Sequence, residues 1–399
     1  MPTLTYEQLR AACSPRGSTA LVSVTELAPA GGPHAAVAPA RYLKDKTPVF
    51  SYETRFVDGE AVTVAILDSK QSQLNRVEAA ILQDIEDGND VLSKTPRISV
   101  SYRGGTVSFT DLELPHRAFD GHIRAGTVDG QPVTAHAAYR AARDSSPKNA
   151  RALLEMSPGS LVFGSWDSTR KTRQGRYRSA LVGEIIGILA NQSDYGRKES
   201  LRGGARIDPV GMSVQLEGDD LLAIMNLQRD ELSPKLIKEI ETEAKKSKAT
   251  SASKLGLGGI PPSLKTLGAV ACKRIMRTHV LSFAALRQLR FGGEPAASVD
   301  SRALLAAYAL AGLARSDSEL YLRANCDLVE SSPTKVTLDR RGGGFDEIEP
   351  LSITAADALL LEAQSRARKD SGINWNGGVF TVIGNDEIFS AASADSDEE

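Results

Sequence analysis

The chain holds 399 residues, 41% hydrophobic and 25% charged, enough for a substantial buried core in one large domain or two. Its 48 lysines and arginines stand against 50 acidic residues, a net charge of -2, and that balance excludes a protein that coats nucleic acid through an overall basic surplus. With aromatic residues at only 5%, platforms for stacking bases are scarce, so any nucleic-acid contact is expected to be local and to run mainly through the phosphate backbone.

Residues 19–27 (TALVSVTEL) predict a first strand, and the Ala/Pro/Gly-rich stretch 28–40 a loop. Alternation over 61–67 predicts a second strand running straight into a helix, where Leu74, Val77, Ile81 and Ile85 share one face, Asp68 and Gln71 are spaced as an N-cap pair, and Gly88 is the stop. Gln71, Asn75 and Glu78 border that apolar stripe and Arg76 projects to the opposite side; an amide here binds RNA or caps structure, and Arg76 meets a phosphate or stays an exposed helix arginine. Residues 97–102 and 106–110 predict a short hairpin across Arg103, Gly104 and Gly105.

The densest signal lies at 160–188, where two apolar segments enclose a basic loop. Arg170, Lys171, Arg173, Arg176 and Arg178 repel one another, an arrangement a fold tolerates most readily when a polyanion neutralises it; otherwise the loop is merely solvated. The flanking Phe163 and Trp166 read as core aromatics rather than stacking surfaces.

Further on, 236–248 predicts a charge-rich helix followed by the Gly/Pro-rich GLGGIPPSL, together an excursion from the core. A strand at 271–281 puts Lys273, Ile275, Arg277 and His279 on one face, cations at two-residue spacing that suit an open sheet following a single strand of RNA, or a solvent face. Helices are predicted at 282–290, 301–314 and 354–369, strands at 320–328 and 378–383, and a disordered acidic tail at 391–399. Irregular alternation with long insertions favours an α+β sheet domain spanning 1–390, with excursions near 28–60 and 230–265.

Signatures of common zinc, phosphate-loop, hydrolase and dinucleotide sites are absent from the sequence, so neither a catalytic residue nor a metal or cofactor is expected. The enzymatic rival is a metal-dependent ribonuclease using Asp68 or Asp167, both in turn-like contexts beside serine where local hydrogen bonding is the commoner role. Cys13, Cys272 and Cys326, odd in number and far apart, predict reduced thiols. The apolar run 303–314 is too short to cross a bilayer and MPTLTYEQLR lacks the order of a secretory signal, so a cytoplasmic protein without a membrane partner is expected.

Five stretches, LDSKQSQLNRVEAAI (67–81), SLVFGSWDSTR (160–170), RYRSALVGEIIG (176–187), GLGGIPPS (256–263) and LSFAALRQLRF (281–291), resemble the CRISPR-associated backbone subunit of type I-G (formerly I-U) effector complexes, of the RAMP superfamily and the group known as Cas seven. The resemblance implies a modified RRM or ferredoxin-like palm with inserted finger and thumb segments, the thumb falling at GLGGIPPS. It implies copies stacked along a CRISPR RNA that leave most bases free to pair with target DNA, alongside a large subunit, a Cas five or Cas six-type subunit and a recruited helicase-nuclease. The five cations of the basic loop would hold guide phosphates, Arg76, Lys273 and Arg277 would extend the track, and Gln71, Asn75, Ser165 and Trp166 complete the implied RNA-binding set. A third reading, a single-stranded RNA-binding protein outside CRISPR systems, predicts monomeric binding with no preference for repeat-derived RNA.

Overall fold

The computed structural model describes residues 1–193, 209–211, 214–246, 248–259 and 268–388. The chain separates into two compact units: 1–40, 51–194 and 270–385 form the first, and 41–50, 195–269 and 386–399 the second. The excursion expected at 230–265 falls in the second unit, as do residues 41–50 of the one expected at 28–60. The acidic tail, and GLGGIPPS beyond Gly259, lie outside the described residues.

The first unit is an α+β fold built on β1 (Ala20–Pro29), α1 (Lys70–Glu86), β2 (Leu181–Leu189), β3 (Cys272–Ser282), α2 (Ala297–Ser318) and β4 (Lys335–Asp339). These six elements run β-α-β-β-α-β, and the strands lie side by side in the order β4-β1-β3-β2, every neighbouring pair antiparallel. That is the RRM-like arrangement, extended here at both edges. Phe345–Ile348 adds beyond β4, Leu328–Glu330 pairs with the end of β1, and the hairpin Tyr52–Val57/Glu60–Asp68 adds beyond β2.

Alternation decides what each strand gives to the helices. Leu21, Ser23, Thr25 and Leu27 of β1 are buried, as are Ile275, Arg277, His279 and Leu281 of β3, so these positions line the side covered by the helices. Gly183 of β2 sits opposite His279, and a Cβ there would come within 2.1 Å of the imidazole. Only glycine leaves room for that ring. On the other face Val64, Ile66, Ile186 and Ile188 form a second buried apolar cluster with Met276 against it.

Helix α2 is buried almost all round. Its alanines let neighbours approach closely, and a Cβ on Gly312 would fall 2.8 Å from Val77 Cγ1 and 2.6 Å from Ile81 Cδ1 of α1. Both of those side chains are β-branched and stiff. Gly312→Val is therefore expected to lower the unfolding free energy by about 1–3 kcal/mol through overpacking. A thermal melt unchanged from the parent would show that the two helices have room to spare.

A smaller sheet joins Arg97–Tyr102, Val107–Thr110 and Val379–Ile383, the last running parallel to the first. Helix Ile353–Ser371 packs on α2 and ends at Gly372, φ 65°, where a left-handed residue closes the last turn. The second unit contains helices Gly218–Leu227 and Pro234–Ala244 around Leu221, Met225, Ile240, Ala252 and Leu255.

Three sequence expectations are corrected here. The N-cap of α1 is Ser69, which accepts from Ser72 N, so Asp68 is free for another task. Residues 320–327 are irregular, with Asn325 at φ 63° interrupting any extended run and a strand forming only at Leu328–Glu330. The helix expected at 282–290 is a single turn, Phe283–Leu286. A first helix, Tyr6–Cys13, was not anticipated; a capping box between Thr5 and Gln8 starts it. The three cysteines are free thiols, and burial pushes Cys13 up to about 12. Among the described residues no helix is long and apolar enough to cross a membrane.

Candidate nucleic-acid interface

The basic segment folds as a small hairpin, Ser165–Trp166 paired antiparallel with Arg176–Tyr177. Ordinary chemistry fixes its base. Asp167, 1% exposed, receives Arg143 through Nε at 2.7 Å and Nη2 at 3.2 Å, and its own backbone N–H donates to Gly175 O at 2.9 Å. Arg170 is half-buried, donating to Arg143 O at 3.1 Å and pairing with Asp144, whose carboxyl is held below its usual range mainly by that hydrogen bond. On the inner side Tyr177 stacks on Phe119, ring centroids 6.5 Å apart.

With the base held this way, the remaining cations face solvent. Arg173, 76% exposed and left-handed at φ 55°, reaches Asp144 only at 3.7 Å. Lys171, Arg176 and Arg178 are exposed and have no ion-pair partner among the described residues. Buried Tyr177 between them puts Arg176 and Arg178 on the same outward side of the strand. Arg140 on the neighbouring helix Ala137–Arg143 is exposed too, and Arg124 donates to Thr169 Oγ1 in the loop. The sequence reading missed Arg124, Arg140 and Arg143; the three-residue spacing of the last two on one helix face was the available clue.

Trp166 is 49% exposed, with the Arg176 guanidinium 5.1 Å from its ring centroid. Phe163 is core, as expected, whereas Trp166 is not. Ser165 is largely buried and donates its hydroxyl to Ser160 O at 2.9 Å.

Helix α1 is tied to this hairpin through Arg117, which chelates Glu78 at 2.5 and 2.6 Å and donates Nη1 to Gly164 O at 2.8 Å, next to the hairpin's first residue. Gln71 and Asn75 on the same helix are bonded to each other at 3.0 Å and line a groove with Glu78, Leu112 and Glu113. Arg76 belongs elsewhere: its Nε binds buried Asp68 at 3.1 Å and its Nη1 donates to Tyr321 O.

The two cations of β3 expected to extend the basic set differ in their access to solvent. Arg277 is 2% exposed, with Glu330 at 2.8 Å and Asp317 at 3.4 Å, because its side of the strand is the one covered by the helices. His279, on the same side, meets Gln73 at 3.1 Å. Lys273, at the start of the strand, is exposed. The two aspartates of the nuclease alternative are both buried and engaged by arginines, Asp68 by Arg76 and Arg323, Asp167 by Arg143. Among the described residues no group of three or more His, Cys, Asp or Glu is placed to hold a metal ion.

Residues 21–192, under half of the chain, match the family model described as CRISPR-associated protein GSU0053. Of the five stretches noted in the sequence, those at 67–81, 160–170 and 176–187 lie inside that region. No curated protein matches the chain.

Proposed function

We propose that a chain whose residues 21–192 fit a CRISPR-associated family model serves as the CRISPR RNA-binding backbone subunit of a type I-G Cascade complex and carries no catalytic activity of its own. The observation that supports this most is the exposed quartet Lys171, Arg173, Arg176 and Arg178 on a hairpin whose base is neutralised internally, in a chain with a net charge of -2. A subunit of this kind needs one cationic track for the guide and near neutrality elsewhere, or successive copies would repel. Guide RNA, further copies of the chain, a large subunit, a Cas five or Cas six-type subunit and a recruited helicase-nuclease are the partners in this reading, and target DNA joins through base pairing.

Arg173→Ala with Arg176→Ala is expected to weaken RNA binding for all sequences alike. It should also flatten the plot of log affinity against log salt by about 1.4, roughly 0.7 for each phosphate of a single strand that the protein no longer neutralises. An unchanged slope would mean that the hairpin is only solvated. Incubation of the protein and labelled RNA with magnesium or manganese tests the non-catalytic assignment, and RNA cleavage that disappears in Asp167→Ala would overturn it.

A further inference from the structure

We infer that Trp166 and Arg176 form a stacking platform for one unpaired nucleobase, which makes the hairpin selective for single-stranded over duplex RNA; the inference rests on the RNA-binding reading above. A large indole left half in water is costly to a fold that has other places for it. The chain's second tryptophan shows the alternative: Trp375 is 6% exposed and donates Nε1 to Leu154 O at 3.3 Å. Trp166 instead sits on a two-residue strand, Arg176 lies over its ring, and Arg178 follows on the same outward side.

Arg176, which lies over the indole, and Arg178 also form part of the wall of a groove of about 400 Å³, with Leu161, Ala180, Ala284 and Gln288 among its lining. Its volume lies at the small end of the range for ligand sites. An aromatic face, an apolar slot and two guanidinium groups match the three parts of a nucleotide: the base stacks, the sugar lies against apolar surface and the phosphate meets a cation. In a duplex each base face is already covered by its neighbours, so only a single strand offers one to the indole.

The test uses the whole chain and its own fluorescence. A short oligoadenylate should quench the exposed tryptophan, polyphosphate of matched charge should bind without quenching, and a blunt RNA duplex should bind more weakly than the single strand. Trp166→Leu is expected to lose roughly tenfold in affinity for oligoadenylate and nothing for polyphosphate. Trp166→Phe should retain most of the affinity while the quench disappears, which separates stacking from a general effect on the hairpin. Equal oligoadenylate affinity in the parent and Trp166→Leu, or quenching by polyphosphate as strong as by oligoadenylate, would overturn the platform while leaving RNA binding intact. Binding of neither polyanion would remove the RNA-binding reading, and the platform with it.

Discussion

Asp68→Ala is expected to lower the stability of the first unit by about 3 kcal/mol, near the bottom of the range for removing one partner from a buried ion pair. The carboxylate is fully buried at the end of the strand Glu60–Asp68. It accepts Ser72 Oγ at 2.9 Å, Gln73 Nε2 at 2.6 Å and Arg76 Nε at 3.1 Å, and it also receives Arg323. Without it two guanidinium groups lose their counter-charge and a buried amide loses its acceptor. The loss stays near the lower bound because Arg76 and Arg323 keep 23% and 27% of their side-chain surface exposed and can turn towards water. Asp68→Asn, which keeps the shape and one acceptor, should cost less. Urea unfolding at constant m-value measures both, and an Asp68→Ala midpoint equal to the parent's would refute the central place given to this carboxylate.

The second large effect depends on pH. Burial, helped by the neighbouring Arg277, pushes His279 down to about 3. The folded protein thus keeps the imidazole neutral while the unfolded chain takes up a proton below the usual value of 6.5. For a base with a lowered folded pKa the stabilisation is complete above 6.5 and is lost as the pH falls towards 3, at about 1.4 kcal/mol per pH unit. Asp317 works in the opposite sense. Burial raises it to about 6, so its contribution is full below 3.8 and is lost as the pH rises through 6. The two offset each other over much of the acid limb, and the parent curve alone is a poor guide. Comparison with His279→Gln isolates the histidine: Gln can still donate to Gln73, and relative to pH 7 the variant should gain about 3 kcal/mol on the parent near pH 4. A difference between the two proteins that stays flat with pH would mean that the imidazole is not held neutral.

The pattern of His279 and Arg277 also shows where sequence reading stops. Alternation placed Lys273, Ile275, Arg277 and His279 on one face; the last three are buried together while Lys273 is exposed, and the opposite side with Met276 and Val280 is about as apolar. The partners that neutralise Arg277 come from the end of α2 and from the strand Leu328–Glu330, distant in sequence, so nothing local marked that face as covered. The basic loop was legible because its charges are contiguous. Its division into buried anchor and exposed quartet was not, since Asp144 and Arg143 arrive from another element. Trp166 was misread for a similar reason: a tryptophan next to an apolar segment is usually core, and only the outward turn of a very short strand leaves it in water. The strands expected at 19–27, 61–67 and 271–281 and the helices beginning near 70 and 354 were read within a few residues, whereas the helix Tyr6–Cys13 and the core strand Lys335–Asp339 were overlooked and the strand expected over 320–327 does not form.

Strand order bears on synthesis. β1 sits between β3 and β4, so both its hydrogen-bonding edges wait for segments that leave the ribosome far later. A nascent polypeptide stopped after residue 194 would carry the family-matched stretch and yet lack both neighbours of its first strand. Such a fragment would present a bare, apolar β edge, prone to aggregate rather than to fold.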